Sequence, residues 1–313
     1  MAGIDKKCAV ARPWGTGSTV LRALLPPLSI PLLISLVMPL SGLVSAQEPS
    51  AQQEPSAQQE PSAQQQPSAQ QEPSAPSAPA AATHTSALGF YYSRGKYGES
   101  SETRIRYLPL SHEVAKGSWR FRSTVPVLEI AGPANVLVNV GSVGGFSSSR
   151  VSASNIGDVS FNLTYQLPAW SAGAPFIDIS AEVKAPTADP KQGLGTGRMD
   201  AGMQVDLYQL AGPLTVFASA GYRYRRQSPF YPGLQNSLFG SLGASANWGD
   251  ALQYGLIYDY RQAASAFTGE THELLPYLSW AASPDWRVML YTVKGFTDDS
   301  ADFAAGMQLS RRW

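Results

Sequence analysis

The sequence predicts an all-β protein, a transmembrane antiparallel β-barrel of about twelve strands. Residues 88–313 consist largely of stretches of about ten residues in which apolar and polar side chains alternate, separated by Gly, Pro and Asp. The connections between these stretches are alternately short and long. All six tryptophans of this region lie either at a short connection or, for Trp313, at the end of the last strand, which falls on the same side of the predicted barrel. The alternation predicts strands, and the other two observations favour a barrel that spans a membrane.

The composition of the whole chain excludes several classes of protein. The 313 residues include 23 Lys and Arg and 23 Asp and Glu, so no basic field for nucleic acid is expected. The only cysteine, Cys8, lies in the first segment of the chain. A mature chain without that segment has no disulfide, no thiolate metal site, no cysteine nucleophile and no lipoprotein anchor.

Residues 1–46 are predicted to be a signal peptide for export. A basic start is followed by an uncharged apolar stretch at 28–40 and by small residues that end at Ala46. An uncleaved membrane helix is the alternative, because residues 28–46 carry no charge and are long enough to span a bilayer. Pro31 and Pro39 disfavour that helix, and an inner-membrane anchor is incompatible with an outer-membrane barrel.

Residues 47–87 are predicted to be a disordered, low-complexity periplasmic tail. The run Glu-Pro-Ser-Ala-Gln-Gln begins at Glu48 and is repeated from Glu54 and Glu60. The segment has no large aliphatic or aromatic residue that could offset the entropy of ordering, and its prolines prevent a continuous helix. It is either a spacer or a peptide motif for a periplasmic partner.

The barrel is predicted to occupy residues 88–313. Stretches of this length are longer than ordinary soluble strands and match a tilted span of the bilayer. Short periplasmic turns, longer outer loops and an even strand count are typical of bacterial outer-membrane barrels, and twelve strands place both termini in the periplasm. The predicted strands are 87–95, 102–111, 117–127, 157–167, 175–185, 198–209, 213–225, 236–247, 251–261, 272–281, 286–294 and 302–313.

Aromatic residues favour a membrane barrel over a soluble β-sandwich, which the alternation alone would also fit. The tryptophans mark one end of the predicted strands, while Tyr222, Tyr224, Tyr258 and Tyr260 mark the other. Two such belts are what bilayer interfaces favour. The last strand alternates apolar residues and ends at Trp313, which resembles the signature recognised by the outer-membrane assembly machinery. Outer-membrane lipid and that machinery are therefore the expected partners.

Charges of both signs are predicted on the inward face of the strands. They indicate either a hydrated solute pathway or a closed network of ion pairs that conducts nothing. The long third loop, 128–156, either folds into the barrel as a constriction or caps its mouth. The predicted lumen set is Arg104, Arg106, Arg120, Arg122, Asp178, Glu182, Lys184, Asp200, Asp206, Arg223, Arg225, Asp259 and Arg261, with Glu102 beside it.

Four short runs carry a resemblance to a known family. They are STVPV at 123–127, GDV at 157–159, VKAPT at 183–187 and GLGTGRMD at 193–200. They resemble the family named for the meta-pathway of phenol degradation, whose members are outer-membrane transporter-like barrels. The similarity runs from about Leu88 to the C terminus. It implies the barrel fold and uptake of small aromatic or hydrophobic solutes.

No enzymatic site is predicted. The glycine-rich run at 193–197 precedes a strand, whereas a phosphate-binding loop precedes a helix. His84 is predicted in the tail and His112 in a periplasmic turn, while His272 starts a strand without an identifiable serine and orienting partner. No metal or cofactor is expected. Two functions remain: a channel or transporter for small solutes, and a structural or interaction barrel with a closed lumen.

Overall fold

The computed structural model describes residues 81–143, 152–171 and 173–313. The predicted signal peptide lies outside these residues. Within the described part of the chain, no helix is long and apolar enough to cross a membrane. The strands are β1 (Thr83–Gly95), β2 (Thr103–Lys116), β3 (Trp119–Ala131), β4 (Val136–Leu137), β5 (Gly141–Ser142), β6 (Ser152–Ile156), β7 (Val159–Gln166), β8 (Phe176–Ala185), β9 (Asp200–Ala211), β10 (Leu214–Arg225), β11 (Ser237–Trp248), β12 (Leu252–Arg261), β13 (Thr271–Ala281), β14 (Trp286–Gly295) and β15 (Phe303–Arg312), and a short 3₁₀ helix spans Pro190–Gln192.

The main sheet closes into an antiparallel barrel, which confirms the predicted fold class. Each strand pairs with its sequence neighbours, and β15 pairs with β1 through a register that sets Leu88 opposite Leu309. The sheet contains thirteen strands, but β6 and β7 both pair with β3 and form two halves of one interrupted strand. The barrel therefore has twelve strands, and every described strand of the main sheet except β6 has a partner on both sides.

The first strand starts earlier than predicted. β1 begins at Thr83, so residues 83–87 belong to the barrel and not to the predicted tail. This stretch has no large apolar side chain, but its backbone pairs with β2 on one side and β15 on the other. The N–H of Trp313 also donates to the carbonyl of His84 at 2.9 Å. Main-chain hydrogen bonds therefore extend the strand. Residues 47–80 of the predicted tail lie outside the described residues.

The two ends of the barrel differ in their connections, as predicted. At the short-turn end four connections have two to four residues (117–118, 212–213, 249–251 and 282–285), while the fifth, 167–175, has nine. At the long-loop end they are 96–102, 132–151, 186–199, 226–236, 262–270 and 296–302. All six tryptophans after residue 88 lie exposed at the short-turn end, and Tyr222, Tyr224 and Tyr258 are exposed near the other. These are the two aromatic belts of a bilayer-spanning barrel.

The outer wall is apolar and the inner wall is packed. Outward side chains such as Leu110, Met203 and Leu242 are exposed, as expected of a surface that meets lipid. Inside, aromatic rings lie over glycines directly opposite them on the next strand. A Cβ added to these glycines would overlap the ring, so each ring lies flat along the wall. The pairs are Phe217 with Gly243, Phe239 with Gly221, Tyr277 with Gly255 and Tyr291 with Gly306.

Candidate functional site in the barrel lumen

One part of the inner wall is an apolar strip, which we call the aromatic strip. It runs along β9 to β15 and β1, and its side chains form a continuous buried cluster. The rings that lie over glycines belong to it, so the strip is smooth as well as apolar. Its members are Tyr91, Tyr208, Phe217, Phe239, Ile257, Leu275, Tyr277, Met289, Tyr291, Val293, Ala301 and Ala304.

The opposite part of the wall carries ion pairs between strands. Arg120 on β3 reaches across β7 to Asp178 on β8, with 2.5 Å between Nη2 and Oδ2. Arg122 pairs with Glu113 on the neighbouring strand β2. These side chains are almost fully buried, so each charge depends on its partner to offset desolvation.

Further ion pairs lie nearer the long-loop end. The Nζ of Lys184 is 2.7 Å from Asp158 and 2.8 Å from Asp200. Arg223 reaches across β9 to Glu182 at 3.2 Å, passing over Gly202, the residue paired with both. On the other side of the mouth, Arg261 lies 3.3 Å from Asp259 and 2.9 Å from Glu273.

Within the described ranges, the side chains of Arg225 and Asp206 bond to neutral groups and form no ion pair. The Nη1 of Arg225 donates to the carbonyl of Gln235 at 3.0 Å and to the hydroxyl of Ser237 at 2.6 Å. Asp206 accepts a 2.5 Å hydrogen bond from the amide of Gln204. Although Arg225 is directly opposite Asp200 in the register, that carboxylate turns to Lys184.

The structure places eleven of the thirteen predicted lumen residues on the inner wall, namely all except Arg104 and Arg106. The prediction for these two is wrong: their side chains face outward and are 65% and 55% exposed. Their neighbour Ile105 is buried instead. Beside this part of β2 the lumen is filled by apolar side chains, so Ile105 faces inward and its flanking arginines face outward. Glu102, beside Arg104, is also exposed.

The apolar filling comes from the third loop. Residues 132–143 turn back into the mouth and form the hairpin β4–β5, whose tip carries Asn139 and Gly141 with positive φ angles of 68° and 86°. Val136 packs with Ile105 and Leu194. Of the remainder of the predicted loop 128–156, the ends belong to β3 and β6, and residues 144–151 lie outside the described residues.

Other long loops hold the hairpin in place. Leu137 and Val143 pack against Tyr231 and Leu234, both from the connection 226–236, which is far away in the sequence. Sequence reasoning missed these loop residues, and their isolated apolar character was the only available signal. The hydroxyl of Ser265 donates to the carbonyl of Ser142 at 2.6 Å.

Polar groups near the mouth also contact the hairpin and its surroundings. Glu99 accepts hydrogen bonds from the Asn135 amide and the Ser142 hydroxyl. Tyr97, whose hydroxyl donates to Ser93 at 2.6 Å, is half-buried, and the loss of solvation raises its pKa. Asp299 also lines the mouth; burial raises its pKa, and a hydrogen bond from the Gly269 backbone acts in the opposite direction.

Two small cavities flank the hairpin. The larger is about 70 Å³ and is lined by residues of β1, β10–β13 and the mouth, and the smaller is about 40 Å³ and lies against β2, β3, β8 and β9. Leu137, Asn139 and Val140 line both. A cavity of about 150 Å³ is known to hold a benzene ring. Neither space therefore admits an aromatic ring while the hairpin is in place, and withdrawal of the tip would join them.

The lumen therefore combines an aromatic strip, an ion-paired wall and a loop-derived hairpin that closes the mouth. A family model described as "MetA-pathway of phenol degradation" matches residues 95–313. The chain belongs to this family. The resemblance seen in the sequence is thereby confirmed, and the matched region begins at the last residue of β1.

A solved outer-membrane channel shows the same fold. The chain is similar to the COG4313 outer membrane channel from Pseudomonas putida F1, with a TM-score of 0.60 and 11% identity over 77% of this chain and 99% of that one. It also matches the NanC porin (TM-score 0.45, 10% identity, 72% and 97% covered) and the KdgM porin (TM-score 0.43, 9% identity, 72% and 98% covered). No curated protein sequence matches the chain. The fold is that of an outer-membrane β-barrel.

Proposed function

We propose that this member of the phenol-degradation family is an outer-membrane channel that admits small aromatic or hydrophobic solutes, with the β4–β5 hairpin as its movable plug. The aromatic strip carries the proposal, because it gives an apolar solute a continuous surface along the lumen. The description of the family, which names phenol degradation, supports the same class of solute.

The geometry of the aromatic strip favours passage of a solute along the lumen over its retention at one position. Rings such as Phe217 and Phe239 lie flat over glycines, so they offer their faces to a solute ring without projecting into its path. Aromatic rings attract one another in offset or edge-to-face geometry. The ion-paired wall opposite offers no comparable apolar contact, so an aromatic solute would follow the strip.

The plug must move for this passage. Its buried contacts are with other loops and with the inner surface of the wall, and it contributes no strand to the closed barrel. It can leave the mouth without breaking a barrel hydrogen bond. Passage needs no chemistry, so the proposal assigns no catalytic residue, cofactor or metal.

The proposed orientation places the short turns and both termini in the periplasm and the long loops outside the cell. Connection lengths support it, because short periplasmic turns and longer outer loops are the rule for such barrels. The last strand, which ends at Trp313, would be the segment that the assembly machinery recognises, and outer-membrane lipid would surround the apolar wall.

A disulfide that locks the hairpin tests the proposal. A Cβ at Gly141 would lie 3.7 Å from the Cβ of Thr268, within the range of about 3.5–4.5 Å that disulfides require. We expect the Gly141→Cys/Thr268→Cys variant, when reduced, to conduct ions in planar bilayers and to carry labelled toluene into intact cells. Oxidation should lower both by about tenfold or more, and reduction should restore them.

The single variants Gly141→Cys and Thr268→Cys are the controls, and oxidation should leave both unchanged. The only natural cysteine, Cys8, lies in the segment predicted to be removed. If neither the reduced variant nor the unmodified protein conducts or accelerates toluene entry, the alternative function holds, namely a closed structural or interaction barrel.

A further inference from the structure

Four cations face the lipid side of the barrel in one sector of the long-loop end. Arg104 and Arg106 on β2 are joined by Arg94 on β1 and Lys294 on β14, and all four are exposed. The strands β2, β1, β15 and β14 are consecutive neighbours in the sheet. We call these four residues the basic sector.

The basic sector lies at the level of the outer aromatic belt. Arg94, Arg104 and Lys294 each occupy the second residue of their strand from the long-loop end, as do Tyr224 and Tyr260 on β10 and β12. Tyrosines at this level mark the membrane interface. The cost of an outward charge falls steeply from the bilayer midplane to the interface, so the cations lie where headgroups lie.

Outside this sector the belt carries little charge. At the second position from the long-loop end, the other outward side chains of the described strands are uncharged apart from one histidine. They are Ala201 on β9, Tyr224 on β10, Leu238 on β11, Tyr260 on β12 and His272 on β13. Positive charge on this level is therefore concentrated on one side of the barrel.

The cations of this sector are incompletely paired within the protein. Arg94 is directly opposite Arg104 in the β1–β2 register, and like charges opposite one another repel. Arg104 has Glu102 at 2.8 Å and Arg106 has Glu129 at 3.0 Å, both exposed pairs of the weak kind. Among the described residues, no carboxylate lies within the 4 Å of an ion pair from Arg94 or Lys294.

Below the basic sector the wall is apolar. Phe90 on β1, Leu108 and Leu110 on β2, and Met307 on β15 continue the same outward faces toward the bilayer centre and are exposed. The sector thus presents guanidinium groups at headgroup level above a surface for acyl chains. Guanidinium groups bind phosphate oxygens bidentately, which suits an amphiphile with a phosphorylated head.

We propose that the basic sector binds a phosphorylated glycolipid of the lipid A class in the outer leaflet, with Arg94 and Arg104 holding one phosphate between them. The separation of this pair from Lys294, two strands away on β14, favours a head with two phosphates over a phospholipid with one. The proposal rests on the orientation given above, which places the long loops outside. It does not depend on whether the lumen conducts.

The proposal is tested by native mass spectrometry, which measures lipid binding to the refolded, lipid-free protein in detergent. We expect the unmodified protein to bind diphosphorylated lipid A, and Arg94→Gln/Arg104→Gln to bind it about tenfold more weakly. The matched control is Arg198→Gln/Arg226→Gln, which removes two exposed loop arginines at the same end and should stay within twofold. A β-type circular dichroism spectrum of each variant verifies folding.

Three results would overturn the assignment. The first is unchanged lipid A binding by Arg94→Gln/Arg104→Gln. The second is an equal loss in the loop control, which would mean attraction by overall charge. The third is equal binding of lipid A without phosphates or of phosphatidylglycerol, which would remove the role of the phosphates or of the glycolipid. Toluene entry and conductance are measured separately, so a failure of the channel proposal can be distinguished from a failure of the lipid A proposal.

Discussion

The two halves of the barrel interior are stabilised by different contacts. In the short-turn half, wall strands exchange ion pairs such as Arg120 with Asp178, which are buried and belong to the barrel itself. In the long-loop half, the space is filled by the hairpin β4–β5, which reaches in from a loop and packs on other loops. The ion pairs of the wall cannot be broken without a loss of stability. The hairpin can withdraw without breaking a barrel hydrogen bond, and this separates stability from gating.

The largest expected effect is a loss of stability when an ion pair of the short-turn half is broken. Arg120→Ala leaves Asp178 buried without its arginine and directly opposite Asp206 on β9. An uncompensated buried charge costs about 3–5 kcal/mol. We expect the free energy of unfolding in urea, measured in lipid vesicles by circular dichroism, to fall by about that amount.

The control for this prediction is an ion pair on the outside of the same barrel. Arg106→Ala removes the exposed pair with Glu129 and should change the free energy of unfolding by less than about 1 kcal/mol. Arg120→Ala/Asp178→Ala should be less destabilised than Arg120→Ala alone, because no charge is left buried. Equal effects of Arg120→Ala and Arg106→Ala would show that the inner pair is as well solvated as the outer one.

A smaller effect on the fold, but a clear one on conduction, is expected in the long-loop half. Leu137→Ala removes a buried side chain of the hairpin, and such truncations weaken local packing by about 2–5 kcal/mol. Global unfolding should change by less than about 1 kcal/mol, since the hairpin is not part of the wall. The weaker docking should raise mean conductance in planar bilayers by about tenfold or more.

Leu275→Ala is the matched control, because Leu275 is equally buried but lies on the wall strand β13. It should lower the free energy of unfolding by about 2–5 kcal/mol and leave the hairpin docked. If Leu137→Ala destabilised the barrel as much as Leu275→Ala, the hairpin would be a structural part of the fold and could not act as a plug.

The barrel could be predicted from the sequence because its determinants are local. Lipid on one side and a polar or packed lumen on the other impose a period of two residues on every strand. The lengths of the connections distinguish the two ends of the barrel. The contacts of the hairpin are not local. The bond between Ser142 and Ser265 joins residues 123 apart in the sequence, and nothing in either stretch specifies the other.

The wrong prediction for Arg104 and Arg106 has the same origin. The rule that places polar side chains inward assumes a polar lumen along the full length of each strand. Once the hairpin packs Val136 and its neighbours against β2, the interior beside that strand is apolar and Ile105 faces inward. Partners such as Arg120 and Asp178 were also unpredictable, because the arginine passes over the strand between them.

The smallest expected effect is a pH dependence of the conductance that arises at the mouth of the barrel. Burial raises the pKa of Asp299, and Asp298 adds to the shift. Because the folded pKa lies above the unfolded value of about 4, Asp299 stabilises the closed mouth most below that value, and the contribution is lost as pH rises through the folded pKa. The conductance of the unmodified protein should therefore rise by about two- to threefold from pH 4 to pH 7, and Asp299→Asn should reduce that rise.

Glu99 also contacts the hairpin, so only the difference in pH dependence between the unmodified protein and Asp299→Asn is diagnostic. The exposed neighbour provides the control: Asp298→Asn should keep most of the pH dependence, and an identical response of both variants would place the titration elsewhere in the mouth.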